Sequence, residues 1–119
     1  MLHFEQTDSG ILGRTFRFSL HIIEYCNILE NNKQHNMAYQ LFKSGTSIGA
    51  NVAEAQNAES KPYFIHKMKI ASKEAGETAY WLQLCKQSPH YPECDDLLKE
   101  MKPIILIISK IILTSKSRI

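Results

Sequence analysis

Apolar residues recur every three or four positions along four stretches of the chain, which is the spacing of one buried face of a helix. The first stretch runs from about Ser9 to Glu30 and the second from about His35 to Asn57. The third opens at Ser60 and ends before Ser88, and the fourth opens at Glu93. The predicted core positions are, in order, Ile11, Thr15, Phe18, Ile22, Tyr25 and Leu29; Met37, Leu41, Ser44, Ile48, Val52 and Ala55; Phe64, Met68, Ala71, Ala75, Ala79 and Leu82; and Leu97, Met101, Ile104, Ile108 and Ile111.

Four amphipathic helices with short connections predict an all-α fold, an antiparallel up-and-down four-helix bundle, with residues 1–119 as a single domain. The segment Ile104–Leu113 is rich in β-branched residues, which also suits a strand. The heptad spacing of the whole fourth stretch and the lack of a partner strand favour a helix. Pro103 falls inside this helix and predicts a kink.

The third and fourth helices carry more apolar residues than one core stripe needs. Because large contiguous apolar patches are uncommon on monomers, the excess predicts a self-association interface. The alternative is scattered surface hydrophobes, which are normal on any protein. The candidate interface residues are Tyr63, Ile70, Trp81, Leu84, Leu106 and Ile107.

The second helix contains two glycines, although each costs about 1 kcal/mol relative to alanine inside a helix. Gly45, Gly49 and Ala53 stand four residues apart and form a smooth ridge that lets another helix approach closely. A polar row beside the core stripe is either an inter-helix hydrogen-bond network or a functional surface; its members are Gln40, Ser44, Ser47, Asn51 and Glu54. A phosphate loop is rejected, because these glycines lie in a helical pattern and no Gly-Lys follows them.

Three segments, 43–55, 64–71 and 74–82, resemble the bacterial four-helix-bundle family of 23S rRNA intervening-sequence proteins. The resemblance implies a ring-like homopentamer with no established catalytic residues. Members are encoded within intervening sequences of 23S rRNA genes or stand alone, and a related accessory protein of diversity-generating retroelements uses a basic surface to engage nucleic acid. The family's recurrent polar positions correspond here to Ser44, Ser47, Asn51, Glu54 and Glu77.

The net charge of +2 comes from 14 Lys and Arg against 12 Asp and Glu, far from the strong basic excess of most nucleic-acid binders. The average hides an acid-free window at residues 60–73 and a smaller basic stripe on the first helix. Such stripes can contact phosphates without reading sequence, and the alternative is a solvated face on which Lys73 pairs with Glu77. The candidate nucleic-acid-binding residues are Arg14, Arg17, His21, Lys61, His66, Lys67, Lys69 and Lys73.

No motif for catalysis or metal binding stands out. Cys85, His90 and Cys94 do not have zinc-ligand spacing, and no Glu-x-x-His motif of a di-metal bundle occurs. Glu54, Glu74 and Glu77 are not gathered with a nucleophile or base, so we predict a non-enzyme without cofactor, metal or small-molecule substrate.

The longest apolar run is far short of the ~20 residues that cross a bilayer, which argues against a membrane partner. The three cysteines are too few for a disulfide framework, and no targeting signal is visible, so we predict a cytoplasmic protein. Two functions stay open: RNA or ribonucleoprotein binding, and a protein-interaction scaffold that never touches nucleic acid.

Overall fold

The computed structural model describes residues 10–117, and these form four helices. They are α1 (Ile11–Asn31), α2 (His35–Ala55), α3 (Lys61–Gln87) and α4 (Asp95–Ser117). No strand occurs between residues 10 and 117, so the prediction of an all-α protein is confirmed and the segment Ile104–Leu113 is helical. The predicted start at Ser9 lies outside the described residues.

The helix boundaries follow from local chemistry. The Ser60 hydroxyl accepts a hydrogen bond from the backbone N–H of Tyr63 at 3.2 Å, and Pro62 sits in the first turn of α3, where its missing N–H needs no partner. Asp95 and Asp96 occupy the first turn of α4, the end of a helix that favours negative charge. These N-terminal signals explain why α3 begins where the sequence predicts and why α4 begins at Asp95, two residues after the predicted start at Glu93.

The helices surround one core to which all four contribute side chains. Contacts join α1 to α2, α2 to α3, α3 to α4 and α1 to α4, whereas within residues 10–117 the backbones of α1 and α3, and those of α2 and α4, do not approach each other closely. The four helices therefore occupy the corners of a square in which α1 lies diagonally opposite α3. This arrangement decides which surface residues can share a face.

The glycine ridge of α2 packs against α1, as its smooth outline predicts. A Cβ atom added at Gly45 would lie 2.9 Å from both γ-carbons of Ile22, and one added at Gly49 would lie 3.2 Å from the Thr15 carbonyl oxygen. Distances this short leave no room for even a methyl group at Gly45. Gly45 is therefore needed for the close approach of the two helices, and its propensity cost is offset by packing.

The predicted core of α3 is confirmed at four positions, Met68, Ala71, Ala75 and Leu82, and is wrong at two. Phe64 and Ala79 are only half-buried, and the fully packed face instead contains Ile65, Thr78 and Cys85. Apolar residues lie on two adjacent faces of this helix, and its contacts with α2 and α4 determine which of them are fully buried. Smaller corrections apply to Ile11, Met37 and Ile111, which are half-buried at the ends of their stripes.

The fourth helix runs without interruption through Pro103, and the kink predicted there stays a prediction. Leu97, Met101, Ile104 and Ile108 are buried, as the heptad spacing predicts. No helix within residues 10–117 is long and apolar enough to span a membrane.

Candidate functional site

The exposed face of α3 presents the cations expected from the acid-free window. Lys61, His66, Lys69 and Lys73 are exposed, and none of them forms an ion pair with a carboxylate of residues 10–117. The ion pair of Lys73 with Glu77, which was expected if this face were only solvated, is not formed. These side chains are free to meet an external anion.

Lys67 differs from its neighbours on α3, because it is held by two groups of its own chain. Its ammonium nitrogen lies 3.4 Å from an Oε1 atom of Glu54 on α2 and 5.6 Å from the centre of the Tyr63 ring. Both contacts compete with an external anion for the same charge. Lys67 therefore serves to join α2 and α3 more than to bind a ligand.

The predicted basic stripe of α1 is also engaged. His21 Nδ1 lies 2.7 Å from Oε1 of Glu100 on α4, and Arg14 and Arg17 each have an interaction partner. Since α1 and α3 are diagonal neighbours, the two stripes do not form one continuous face. The α1 residues are thus weaker candidates for anion binding than those of α3.

The two stripes nevertheless lie toward the same end of the bundle. Gly49 of α2 meets Thr15 of α1, Glu54 of α2 meets Lys67 of α3, and Ser115 of α4 lines one cleft with Lys61 and Phe64. A plane through the contacts of Ser44 with Thr78 and of Gly45 with Ile22 divides the molecule across its long axis. We call residues 10–21, 46–77 and 105–117, on one side of this plane, the basic half.

The basic half holds most of the cations of the chain. It carries eight Lys and Arg against four acidic residues, whereas the other half, residues 22–45 and 78–104, carries five Lys against six acidic residues. In that other half, a cleft of about 310 Å³ between α1 and α4 is lined by acidic side chains, namely Glu24, Glu93, Asp96 and Glu100, beside His21. Behind the modest net charge of +2, basic and acidic residues are therefore concentrated in different halves of a molecule 48 Å long.

The polar row of α2 serves several separate contacts. The buried Ser44 hydroxyl is hydrogen-bonded to Thr78 of α3 at 2.9 Å. Ser47 and Asn51 donate to backbone carbonyls one turn earlier in their own helix, and Glu54 pairs with Lys67. Glu77 is half-buried on α3. Ser44 and Glu54 thus connect α2 to α3, whereas Ser47 and Asn51 do not. Thr78, the buried partner of Ser44, was absent from the sequence prediction.

The Ser44–Thr78 pair gives a test of this structural role. The Thr78 hydroxyl has a single proton and donates it to the Glu74 carbonyl at 2.8 Å, so Ser44 donates to Thr78. Thr78→Val leaves the Ser44 hydroxyl unpaired in the core, and we expect a loss of about 1–3 kcal/mol in unfolding free energy. The double variant Ser44→Ala/Thr78→Val removes both partners and should lose less than the sum of the two single variants. Urea denaturation of the three variants measures this coupling, and strictly additive losses would contradict it.

Apolar surface occurs on two opposite sides of the bundle. Of the predicted interface residues, Tyr63 and Leu106 are exposed, Leu106 by 69%, while Ile70, Trp81, Leu84 and Ile107 are half-buried and Trp81 packs on the chain's own core. The sequence prediction missed the other side. There, a groove of about 360 Å³ between α1 and α2 is almost wholly apolar and is lined by residues that include Phe16, Ile23, Phe42, Ala50 and Ala53.

All three cysteines lie in the other half of the molecule, residues 22–45 and 78–104, but do not form a metal centre. Cys26, Cys85 and Cys94 are all buried and free. Tyr25 donates a hydrogen bond to the Pro92 carbonyl at 2.7 Å, and Cys94 donates to the Leu82 carbonyl. Among residues 10–117, no three His, Cys, Asp or Glu side chains are grouped so that they could hold one metal ion.

Comparisons with known proteins agree on one family. The family model of the 23S rRNA-intervening sequence protein matches residues 7–112. A crystal structure of a protein of unknown function from the S23 ribosomal protein family of Bacteroides thetaiotaomicron superposes with a TM-score of 0.82. It is 33% identical and covers 87% of this chain and 98% of its own. No curated protein matches the chain. By sequence and by fold, this chain belongs to the 23S rRNA-intervening sequence protein family.

Proposed function

We propose that this chain is a non-enzymatic, self-assembling bundle protein of the cytoplasm that binds RNA through its basic half. The observation that carries the proposal is the concentration of unpaired cations, above all Lys61, Lys69 and Lys73, at one end of the molecule. Lysines placed this way neutralise phosphates and release counterions without reading base sequence. The name of the family, which refers to 23S rRNA, supports RNA as the polyanion.

The absence of enzymatic activity is part of the proposal. An active site built from the carboxylates of the family motif would need a histidine or another base beside them. Glu54 instead is exposed and pairs with Lys67, whose ammonium lies 3.4 Å away. This pairing supports a structural role for Glu54.

The proposed assembly is a ring-like homopentamer. Each copy presents a concave apolar groove on the α1–α2 side and protruding apolar residues, such as Leu106, on the opposite α3–α4 side. Two different complementary patches on one chain give a head-to-tail interface, and such interfaces form a ring where the rotation between copies closes. A ring repeats one weak basic surface on every copy, so that many modest contacts act together.

Alternating helix direction belongs to the same proposal. Residues early in one helix meet residues late in the next: Thr15 meets Gly49, Glu54 meets Lys67, and Lys86 meets Asp95 at 3.2 Å. These contacts support an antiparallel up-and-down bundle. That connectivity is what brings the starts of α1 and α3 and the end of α4 to one end of the molecule.

The RNA proposal is tested by binding to a mixed pool of single-stranded RNA at low and moderate salt. We expect salt-sensitive binding by the unaltered protein. Lys61→Gln/Lys73→Gln removes two exposed cations of the basic half and should flatten the slope of log affinity against log salt by about 1.4, or ~0.7 per lost phosphate contact. The control, Lys43→Gln/Lys99→Gln, makes the same charge change in the other half and should leave the slope unchanged. No retention by the unaltered protein at low salt would overturn the proposal.

A scaffold without RNA binding is the second candidate. It is favoured by the pairing of His21 with Glu100 and of Lys67 with Glu54, because each pair occupies a residue of the predicted stripes. In that case the unaltered protein assembles but retains no RNA at any salt concentration. The two measurements together distinguish the candidates.

Self-assembly is tested by two variants that each break one side of the interface. Phe42→Glu puts a charge at the α1–α2 groove, and Leu106→Glu puts one on the opposite side; each alone should be monomeric by light scattering. Mixed together, each variant supplies the patch that the other lacks, so a one-to-one dimer is expected. The control Asn36→Glu, at the exposed start of α2, should keep the mass of the unaltered homopentamer. A monomeric unaltered protein at micromolar concentration contradicts the proposed assembly.

A further inference from the structure

The exposed face of α3 contains a glycine that has no packing role within residues 10–117. Gly76 lies in the middle of this helix, and a Cβ atom added there would have no packing neighbour within 4 Å. Glycine weakens the interior of a helix relative to alanine. Gly45 and Gly49 offset that cost by letting α1 come close, whereas Gly76 admits no other part of the described chain. It leaves an open position that an external group can approach.

Two cations and an aromatic ring share this face with Gly76. Residues 69, 73, 76 and 80 follow one another at four-, three- and four-residue steps, which places them in one row along the helix. Lys69 and Lys73 are exposed and form no ion pair with a carboxylate of residues 10–117. Tyr80 is 60% exposed and lies about 10 Å along the helix axis from Lys73. Gly76 lies between them, one turn from each.

The exposed ring of Tyr80 is supported by its neighbour Trp81. The two ring centres lie 5.4 Å apart at an interplanar angle of 65°, which is an edge-to-face contact. Trp81 in turn packs against the core of the bundle. An exposed ring that is supported in this way can stack a flat aromatic group such as an unpaired base.

We propose that α3 binds single-stranded RNA, with one unpaired base stacked on Tyr80 and the adjoining backbone running past Gly76 to the lysines of the row. Because Gly76 has no side chain, the sugar-phosphate backbone can lie against the helix where Lys73 and Lys69 reach its phosphates. A charged row beside an aromatic platform holds single strands without sequence preference. The proposal rests on the proposed function and narrows its ligand to unpaired RNA.

Charge favours RNA over a second copy of the chain on this face. The apolar groove proposed to receive a neighbouring copy has no acidic side chain among its lining residues. Lysines buried against that groove would lose water without gaining a partner. The acidic residues of this part of α3, Glu74 and Glu77, are half-buried outside the row. RNA supplies the negative charge that the row lacks.

Two polyanions separate the effect of the stacked base from that of charge. The probes are a mixed-sequence single-stranded RNA and inorganic polyphosphate, which has no bases. Tyr80→Ala should weaken RNA binding about tenfold, within the range for a lost base–aromatic stack, and leave polyphosphate binding unchanged. Tyr80→Phe keeps the ring and should bind RNA as the unaltered protein does. The control Tyr39→Ala, which removes a tyrosine of α2 that is 64% exposed, should change neither affinity.

Gly76→Leu tests the open position. The new side chain would stand between Lys73 and Tyr80, so we expect severalfold weaker RNA binding. Leucine forms helices better than glycine, so the free energy of unfolding should not fall. A changed mass by light scattering, with RNA affinity kept, would show that a second copy occupies this face and would overturn the proposal.

The outcomes separate the failure of this site from the failure of the proposed function. If the unaltered protein retains no RNA at low salt, the proposed function is wrong and the stacking site is wrong with it. If RNA binds with salt dependence but Tyr80→Ala binds it as tightly as Tyr39→Ala does, the function is supported and the stacking site alone is wrong.

Discussion

Replacing Gly45 with valine is expected to lower the free energy of unfolding by about 3 kcal/mol, the upper part of the usual range for overpacked cores. The added Cβ alone would lie 2.9 Å from both γ-carbons of Ile22, which is fully buried. Because Ile22 is β-branched, its γ-carbons cannot swing away without a change of rotamer or a shift of α1. Gly45→Ala should cost less, since alanine recovers about 1 kcal/mol of helix propensity.

Gly76 is the matched control for this prediction. It lies in the middle of α3, and a Cβ there would have no neighbour within 4 Å. Gly76→Ala should therefore raise the free energy of unfolding by about 1 kcal/mol through helix propensity alone. Urea denaturation followed by circular dichroism measures both variants.

A second substitution distinguishes steric overlap from other causes of instability at Gly45. Ile22→Ala removes both of the γ-carbons that the new side chain would meet. The double variant Gly45→Val/Ile22→Ala should thus be less destabilised than the sum of its single variants, because residues in contact couple. Additive losses, or a stable Gly45→Val protein, would show that α1 does not depend on glycine here.

Much of this fold follows from the sequence because each helix carries its own signals. The stripes of α1, α2 and α4 are regular, Ser60 and Pro62 mark the start of α3, and the prolines after Ser88 mark its end. Even the glycine ridge is predictable, since two glycines in a helix need a packing reason. These features depend on neighbours within a few residues along the chain.

The remaining buried positions of α3 could not be predicted in the same way. Its central face contains Thr78, a polar residue that a hydrophobic pattern assigns to the outside. Thr78 is tolerated there because it is hydrogen-bonded to the Glu74 carbonyl and to Ser44 on α2. That partner lies 34 residues away, so no local pattern contains the information.

The candidate site was predictable in composition but not in shape. The acid-free window of α3 and the stripe of α1 can be read from the chain, yet their placement on diagonal helices depends on how the bundle closes. The pairings of His21 with Glu100 and of Lys67 with Glu54 join distant residues and weaken parts of both stripes.

The three buried cysteines lead to the second large expected effect, which is a loss of stability at alkaline pH. Burial raises the pKa of Cys26 and of Cys94 to about 11 each, raises that of Cys85, and raises that of Tyr25 well above its usual range. In the unfolded chain a thiol titrates near pH 8.5. Between about pH 9 and 11 the native state therefore holds protons that the unfolded state has lost.

The sign of the effect follows from this difference in bound protons. The stabilisation is fully present below the pKa of the unfolded thiols and is lost as the pH rises through the native values, so the free energy of unfolding should fall from pH 9 to pH 11. Raising a thiol pKa from about 8.5 to about 11 corresponds to about 3.4 kcal/mol per group, so Cys26 and Cys94 together account for several kcal/mol. Urea denaturation at steps between pH 8 and 11 measures this loss.

Removing the thiols isolates their share of the alkaline loss. Cys26→Ala/Cys94→Ala should start from a lower stability at pH 8, because two buried side chains are truncated. Its stability should then fall less steeply between pH 9 and 11, since Cys85 and Tyr25 are the main buried groups left to ionise. Parallel curves for the variant and the unaltered protein would show that Cys26 and Cys94 ionise equally in both states, and that their burial has no effect on the alkaline limit of this fold.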